Sequence, residues 1–459
     1  MAATLSSAAA STEQRPQLTS NQWKVVGFCA VGGMLEIMDV YIIAFILAVI
    51  TRPWKLSYGQ SAGILLASGV GAVVGSFFWG HVADRVGRKR AFVATIVTCC
   101  AASLALVFTP KGNWIFLATL RTIVGFGTGG FFIFVVLVQE FVPASTRGFV
   151  CGLISGAAAG GLLLGAICGS FLMPLVGWRG LFAVGALPIF LGVAVLYAMP
   201  ESPRWALSRG DLALARRSLA WALGPDADVE SVVRAYGTPE RAPAWREVIS
   251  RKRTLITGTV INFGVVTAYY GIVLWAPTLL AQIEGVSGAQ AAKIMMGMSL
   301  AGLLCRLATG WLSDRIGRRP CGAVAAFGSA GCLVIAGLVG HGVILHRELF
   351  WLPFAAAFLL ADCSFAIMGM YTSEIWPSRL RGRGSGVSYG AGSVGKIIGP
   401  LGLALVIGSS SVITPAATVG AIVPAFVYLA AMLLIAGATY LFIAHETRGR
   451  SLEELDRQI

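Results

Sequence analysis

The sequence predicts an all-α polytopic membrane protein, with twelve transmembrane helices in two six-helix, pseudo-symmetric halves. Three observations carry that prediction. Of 459 residues, 56% are hydrophobic and only 12% charged, against about 25% charged in a soluble domain, so there is too little polar surface to cover a globule in water. Apolar stretches of roughly 20 residues, the length that crosses a bilayer core, alternate with short polar segments along the chain. The chain also repeats itself. Gly80-His81-Val82-Ala83-Asp84-Arg85-Val86-Gly87-Arg88-Lys89 recurs as Gly310-Trp311-Leu312-Ser313-Asp314-Arg315-Ile316-Gly317-Arg318-Arg319, an offset of 230. Glu140-Phe141-Val142-Pro143 with Arg147-Gly148 recurs as Glu374-Ile375-Trp376-Pro377 with Arg381-Gly382, an offset of 234. Two unrelated motifs sharing almost one offset mark two related halves, a plan that places a site at their interface.

Taken in order, residues 1–20 are rich in Ala, Ser, Thr and Gln and lack the basic start and apolar run of a secretory signal. They are expected to form a flexible cytoplasmic tail, which makes the first apolar stretch a true span. Helices are predicted over 24–50, 59–83, 91–109, 114–138, 149–172 and 180–199, making an N-terminal bundle of 21–200. A cytoplasmic linker, 201–253, shows helical spacing around 213–222. The C-terminal bundle, 254–444, holds helices over 254–280, 289–313, 321–343, 350–373, 384–408 and 420–444, and 445–459 is a cytoplasmic tail. The chain has 57 glycines; those at 69, 71 and 75 in the second helix and at 156, 160, 161, 165 and 169 in the fifth let helices approach closely.

The net charge of +14 does not indicate a nucleic-acid partner, because it is distributed as topology. Of 35 Lys and Arg, 26 fall on one set of loops, six on the other and three within helices. By the positive-inside rule both termini and 201–253 are cytoplasmic, as expected of a multi-pass protein of a cell's inner (plasma) membrane, with lipid as its surroundings. Nine scattered Cys make no disulfide framework and read as small packing residues. None of the four His falls mid-membrane. No metal cluster and no nucleophile–base set is seen, so no enzyme, cofactor or metal is expected. The Gly125–Gly130 run lies inside a membrane helix with no strand before it, so it is not a nucleotide loop.

Charges inside the membrane are costly and face a cavity or a partner. Asp39 lies eleven residues from the outward end of the first helix, about 16 Å deep, and Arg121 about 10 Å deep in the fourth. Their pairing is expected, with Asp39 as the proton-coupling group and Arg121 as its partner; a fixed structural pair is the alternative. Glu36, one turn before Asp39 on the same face, is a second coupling candidate that can share its proton. Lys396 lies about 18 Å deep, near the midplane, and asks for an anionic ligand group. Asp362, at similar depth, is a substrate-site candidate or the neutralising partner of Lys396. Arg306, set two turns above the cytoplasmic end, from which it can snorkel to that surface, reads as a packing residue, with substrate contact the alternative. Tyr270, Asn262 and Phe131 are candidates to line the substrate site, with lipid-facing bulk the alternative for Phe131. Trp275 reads as a site residue or an interfacial belt residue. In the loops, Asp84, Arg85, Arg88, Glu140 and Arg147, repeated as Asp314, Arg315, Arg318, Glu374 and Arg381, can form charge-assisted bonds across helix junctions. They are gating candidates, the alternative being a topology signal alone.

These loop signatures resemble those of the major facilitator superfamily, and the resemblance covers nearly the whole chain. Pro200-Glu201-Ser202-Pro203-Arg204-Trp205 and the tail His445-Glu446-Thr447-Arg448-Gly449-Arg450-Ser451-Leu452-Glu453-Glu454 are similar to sugar-porter segments. Trp275-Ala276-Pro277-Thr278-Leu279-Leu280 resembles the seventh helix of organic-acid carriers, and Glu36-Ile37-Met38-Asp39-Val40 resembles the acidic pair of nicotinate-type carriers. Asp39-Val40-Tyr41-Ile42 lacks the second acid of the aromatic-acid carriers' Asp-Gly-Tyr-Asp. The resemblance implies the major facilitator fold, alternating access about a midplane site, and loop clusters that latch the halves on the cytoplasmic side. The expected activity is proton-coupled import of a small organic carboxylate, aromatic or nicotinate-like, by a monomer. A sugar or polyol porter, an organic-cation or drug exporter and a non-transporting sensor are the alternatives.

Overall fold

The computed structural model describes residues 18–130, 132–143, 146–224, 230, 233, 245–344, 346–377 and 380–448, with backbone alone at 132, 147, 148, 347, 381 and 382. The described chain is helical. The membrane-crossing helices of the first half are α1 (Ser20–Trp54), α2 (Tyr58–Val86), α3 (Arg88–Leu106), α4 (Trp114–Phe141), α5 (147–176) and α6 (178–198). Those of the second are α7 (Lys252–Ile283), α8 (Gly288–Ile316), α9 (Arg318–His341), α10 (Trp351–Glu374), α11 (Arg381–Ile407) and α12 (Pro415–Ile443). α5 and α6 form one 50-residue apolar run, Phe149–Ala198, divided at Gly177, whose φ of 68° and ψ of 177° break the helix. Eleven long apolar runs therefore hold the twelve crossings. Between α6 and α7, the 213–222 pattern is the helix Leu212–Leu223, N-capped by Asp211.

Glycine decides where helices meet. A Cβ on Gly161 of α5 would strike the Met34 carbonyl of α1, and one on Gly399 of α11 would strike the Thr267 carbonyl of α7. These are equivalent crossings in the two halves, and backbone-to-backbone contact is possible there only without a side chain. α7 is the interior helix, with 94% of its most apolar window buried, so its polar and aromatic side chains face protein.

The two ends of the molecule differ. At the end opposite the basic loops, one apolar core runs through both halves, from Tyr58, Leu65 and Leu117 to Trp275, Leu403 and Phe426. At the basic end the first half has a separate core of its own, with Val25, Trp79, Phe134, Val138 and Met199. Main-chain bonds join the halves at the opposite end: Tyr58 N donates to Ser411 O (3.0 Å), Gly59 N to Ser409 O (2.8 Å) and Ile413 N to Leu56 O (3.0 Å). The Tyr58 hydroxyl meets Thr418 Oγ1 at 2.5 Å. The space between the halves is therefore sealed at that end.

Candidate functional site

Three charged assemblies lie within the helices or at their basic ends. The first forms as its depths predict. Arg121 Nη1 donates to Asp39 Oδ2 at 2.9 Å, and Nη2 donates to the Asp39 carbonyl and to Ser68 Oγ, both at 3.3 Å. Arg121 has no exposed surface and Asp39 has 3%, so the pair is desolvated and removing either member strands the other. α1, α2 and α4 hold it, and their close approach relies on Gly125, where a Cβ would strike the Ser68 carbonyl. Asp39 Oδ1 has no hydrogen-bond partner among the described residues. Glu36, half-buried one turn away, feels the charges of both Asp39 and Lys396.

The second assembly lies where α1, α7, α8, α10 and α11 converge. Lys396 is exposed although it sits fifteen residues, about 22 Å, into α11. Its ammonium stands 5.2 Å from the Tyr270 ring, and Tyr270 faces Tyr41 of the first half with ring centres 6.1 Å apart. The exposed surface of Lys396 thus opens between the halves. Asp362 does not neutralise it. Both Asp362 oxygens are taken by Arg306, with Nε at 2.7 Å and Nη2 at 2.5 Å, and Nη2 also reaches the Tyr269 hydroxyl at 3.3 Å. Arg306 does not snorkel to the basic end. α8 continues to Ile316, three residues past the predicted end, which puts Arg306 about 15 Å from that end and level with Asp362. Lys396 makes no hydrogen bond or ion pair among the described residues.

Other candidates fall elsewhere. Asn262 is fully buried and ties α7 to α10, donating to Gly258 O and Thr372 Oγ1, both at 2.8 Å. Trp275 is no belt residue: it has no exposed surface, donates to Pro400 O at 3.1 Å and packs on Tyr58 within the seal. Phe131 lies outside the described residues.

The third assembly is the pair of loop clusters. In the first half Arg88 pairs with Asp84 at 2.6 Å and approaches Glu140 at 3.8 Å. In the second, Arg318 pairs with Asp314 at 2.6 Å and Glu374 at 3.2 Å. The side chains of Arg147 and Arg381 lie outside the described residues. Arg85 offers its carbonyl to Arg209 at 2.6 Å, and Arg315 stacks on Trp311 at 3.8 Å. Each cluster closes on its own half.

Sequence reasoning missed four members. Ser202 Oγ meets Glu140 Oε2 at 2.5 Å, and Thr447 Oγ1 meets Glu374 Oε2 at 2.6 Å. Glu201 accepts from Lys89 N at 2.8 Å, capping α3; Glu446 accepts from Arg318 N at 2.9 Å and Arg319 N at 3.1 Å, capping α9. Neither helix has a side-chain cap of its own, since its N-cap is Gly87 or Gly317. The signal was present: Glu201-Ser202 and Glu446-Thr447 are a third motif shared by the two halves, each following the last helix of its half.

The comparisons fit this geometry. The niacin transporter NiaP of Acinetobacter baylyi is 28% identical over 430 residues, covering 92% of this chain and 94% of that protein. The cis,cis-muconate transport protein of the same organism is 25% identical over 399 residues, covering 85% and 89%. The inward-open xylose transporter XylE of E. coli superposes with a TM-score of 0.71 at 18% identity, covering 95% of this chain and 99% of that one, which shows the fold. The model of the sugar (and other) transporter family matches residues 25–459. With its repeated loop signatures, twelve crossings and sealed two-half architecture, the chain belongs to the sugar (and other) transporter family.

Proposed function

We propose that the protein imports a small organic carboxylate, aromatic or nicotinate-like, in symport with protons. Its basic end is cytoplasmic in a cell's plasma membrane, and it works as a monomer. The observation that carries the reading is Lys396, an exposed cation deep in α11 with no carboxylate bound to it and an aromatic wall, Tyr270 and Tyr41, beside it. A solute carboxylate supplies the missing charge, and its ring lies against the tyrosines. Because Asp362 is held by Arg306, its part is to keep that arginine off the solute. Two relatives, a niacin transporter and a cis,cis-muconate transport protein, support the solute class.

Coupling follows from Asp39. A proton on its carboxyl group removes the charge that holds Arg121, loosening α1 from α4 and letting the halves rock about the midplane. The loop clusters act as latches. With the opposite end sealed, Arg88 and Arg318 are satisfied within their halves; when the basic end closes, they meet the facing half.

The test is uptake of labelled nicotinate, muconate, benzoate and xylose into proteoliposomes, with and without an inward proton gradient. Acid uptake that requires the gradient is expected. Lys396→Ala is expected to raise KM by about tenfold or more, the equivalent of ~1.4 kcal/mol. Xylose uptake, or acid uptake indifferent to the gradient, would discard the reading and leave the fold standing.

A further inference from the structure

A cavity of about 50 Å³ lies inside the first half, lined by residues of α1, α3, α4 and α6. Asp39, Glu36, Cys99, Thr95 and Thr128 contribute to its lining. That volume holds a few waters, each needing ~10–15 Å³. Two features make it more than a packing defect. Asp39 borders it, and its Oδ1 is buried with no hydrogen-bond partner among the described residues, while Oδ2 is occupied by Arg121. Gly185 of α6 also borders it, and a Cβ there would stand 3.0 Å from Oδ1, so the glycine keeps that oxygen's side clear. The cavity has a direction. Its α3 wall runs from Cys99 back to Phe92, about 10 Å of helix, and Phe92 is one turn from Arg88 at the basic end.

We infer that this cavity is a hydrated proton passage serving Asp39 from the basic side, separate from the route of the solute. Its ligand is water and the proton that water carries. On arrival at the basic side, the O–H bond of protonated Asp39 breaks at Oδ1 and the proton passes to water in the cavity, while Arg121 re-pairs with the carboxylate. The charged and titratable groups facing Asp39 are Glu36 on α1, Cys99 and Cys100 on α3 and Arg121 on α4, with Ser68 on α2 and Gly185 on α6 as uncharged neighbours. Glu36 borders the cavity and also feels Lys396, so an anion arriving at Lys396 alters the field in which the proton leaves. The inference rests on the proton-symport reading.

Two measurements test it. X-ray hydroxyl-radical footprinting of the protein in vesicles, with oxygen-18 water, reads hydration directly. Cys99 is expected to take up label about tenfold faster than Cys29, which is buried in the basic-end core and does not line the cavity; the factor corresponds to one decade in rate. Equal, slow labelling of the two overturns the inference whatever the solute. The second is nicotinate transport by Gly185→Ala, with Cys99→Phe as a second obstruction if the alanine variant fails to fold. Gradient-driven uptake is expected to fall about tenfold, while nicotinate exchange at equal pH, which needs no proton release, stays near that of the unmodified protein. Driven uptake unchanged in both variants, or exchange falling together with it, overturns the passage. Failure of the unmodified protein to use the gradient overturns the symport reading itself and is seen before any variant is made.

Discussion

Asp39 and Asp362 are both buried carboxylates answered by an arginine, and the two pairs make opposite demands. Asp39 shares one oxygen with Arg121 and keeps the other free; Asp362 gives both oxygens to Arg306. The first can exchange a proton without losing its whole contact, whereas the second is a clamp. Asp39→Asn is therefore expected to abolish gradient-driven accumulation and to keep solute exchange, measured as uptake against counterflow. Arg306→Ala strands a buried carboxylate and is expected to cost about 3–5 kcal/mol. Arg306→Ala with Asp362→Ala should recover much of that loss, read as thermal unfolding in detergent; a double variant no more stable than the single one would show that the clamp is not what the arginine supplies. Residue depth was legible for Asp39 and Arg121 because both lie well inside unbroken apolar runs. It misled for Arg306 because the polar Ser313-Asp314-Arg315 stretch looks like a loop yet continues the helix. That same misplaced end hides the clamp, since an Arg306 set two turns from the surface is not within reach of Asp362.

At the scale of elements, the apolar periodicity and the repeat gave every crossing, with ends shifted by a few residues. The division of α5 from α6 was read correctly even though no polar loop separates them, because Gly177 and Trp178-Arg179 interrupt the run. The caps of α3 and α9 show in the sequence only as the repeated Glu201-Ser202 and Glu446-Thr447 pairs, which do not reveal what they cap because the capped helices start more than a hundred positions away. Glu201→Ala is expected to destabilise the first half by about 0.5–2 kcal/mol, the value of a helix cap, and Glu446→Ala the second by a similar amount. Amide hydrogen exchange should localise the change to the first turns of α3 and α9. Gly125→Val forces a branched side chain onto the Ser68 carbonyl and is expected to cost at least the 1–3 kcal/mol of ordinary overpacking, seen as a lowered Tm.

For the whole molecule, the seal joining the halves opposite the basic loops predicts a reversible lock. A Cβ on Gly59 would stand 3.2 Å from the Ser409 Cβ and 2.8 Å from its carbonyl oxygen, so a small outward shift toward the ~3.8 Å of a disulfide relieves the contact and brings the pair to bonding distance. Gly59→Cys with Ser409→Cys is therefore expected to lose uptake on oxidation and regain it with dithiothreitol; uptake unaffected by a bond confirmed by mass spectrometry would mean that this seal does not open during transport. The sequence predicts two halves but not which end is closed, because the seal is made largely of main-chain bonds at Tyr58, Gly59 and Ile413, which carry no side-chain signature. The caps bear on how such a molecule arose. Glu201-Ser202 fastens the end of the first half to its own α3 and the base of its α4, and Glu446-Thr447 does the same in the second. The unit that was duplicated therefore carried its fastener with it. A chain cut within 225–244, expressed as two polypeptides, should reassemble into a working carrier, since each fragment keeps its own fastener and the apolar core the halves share draws the two together.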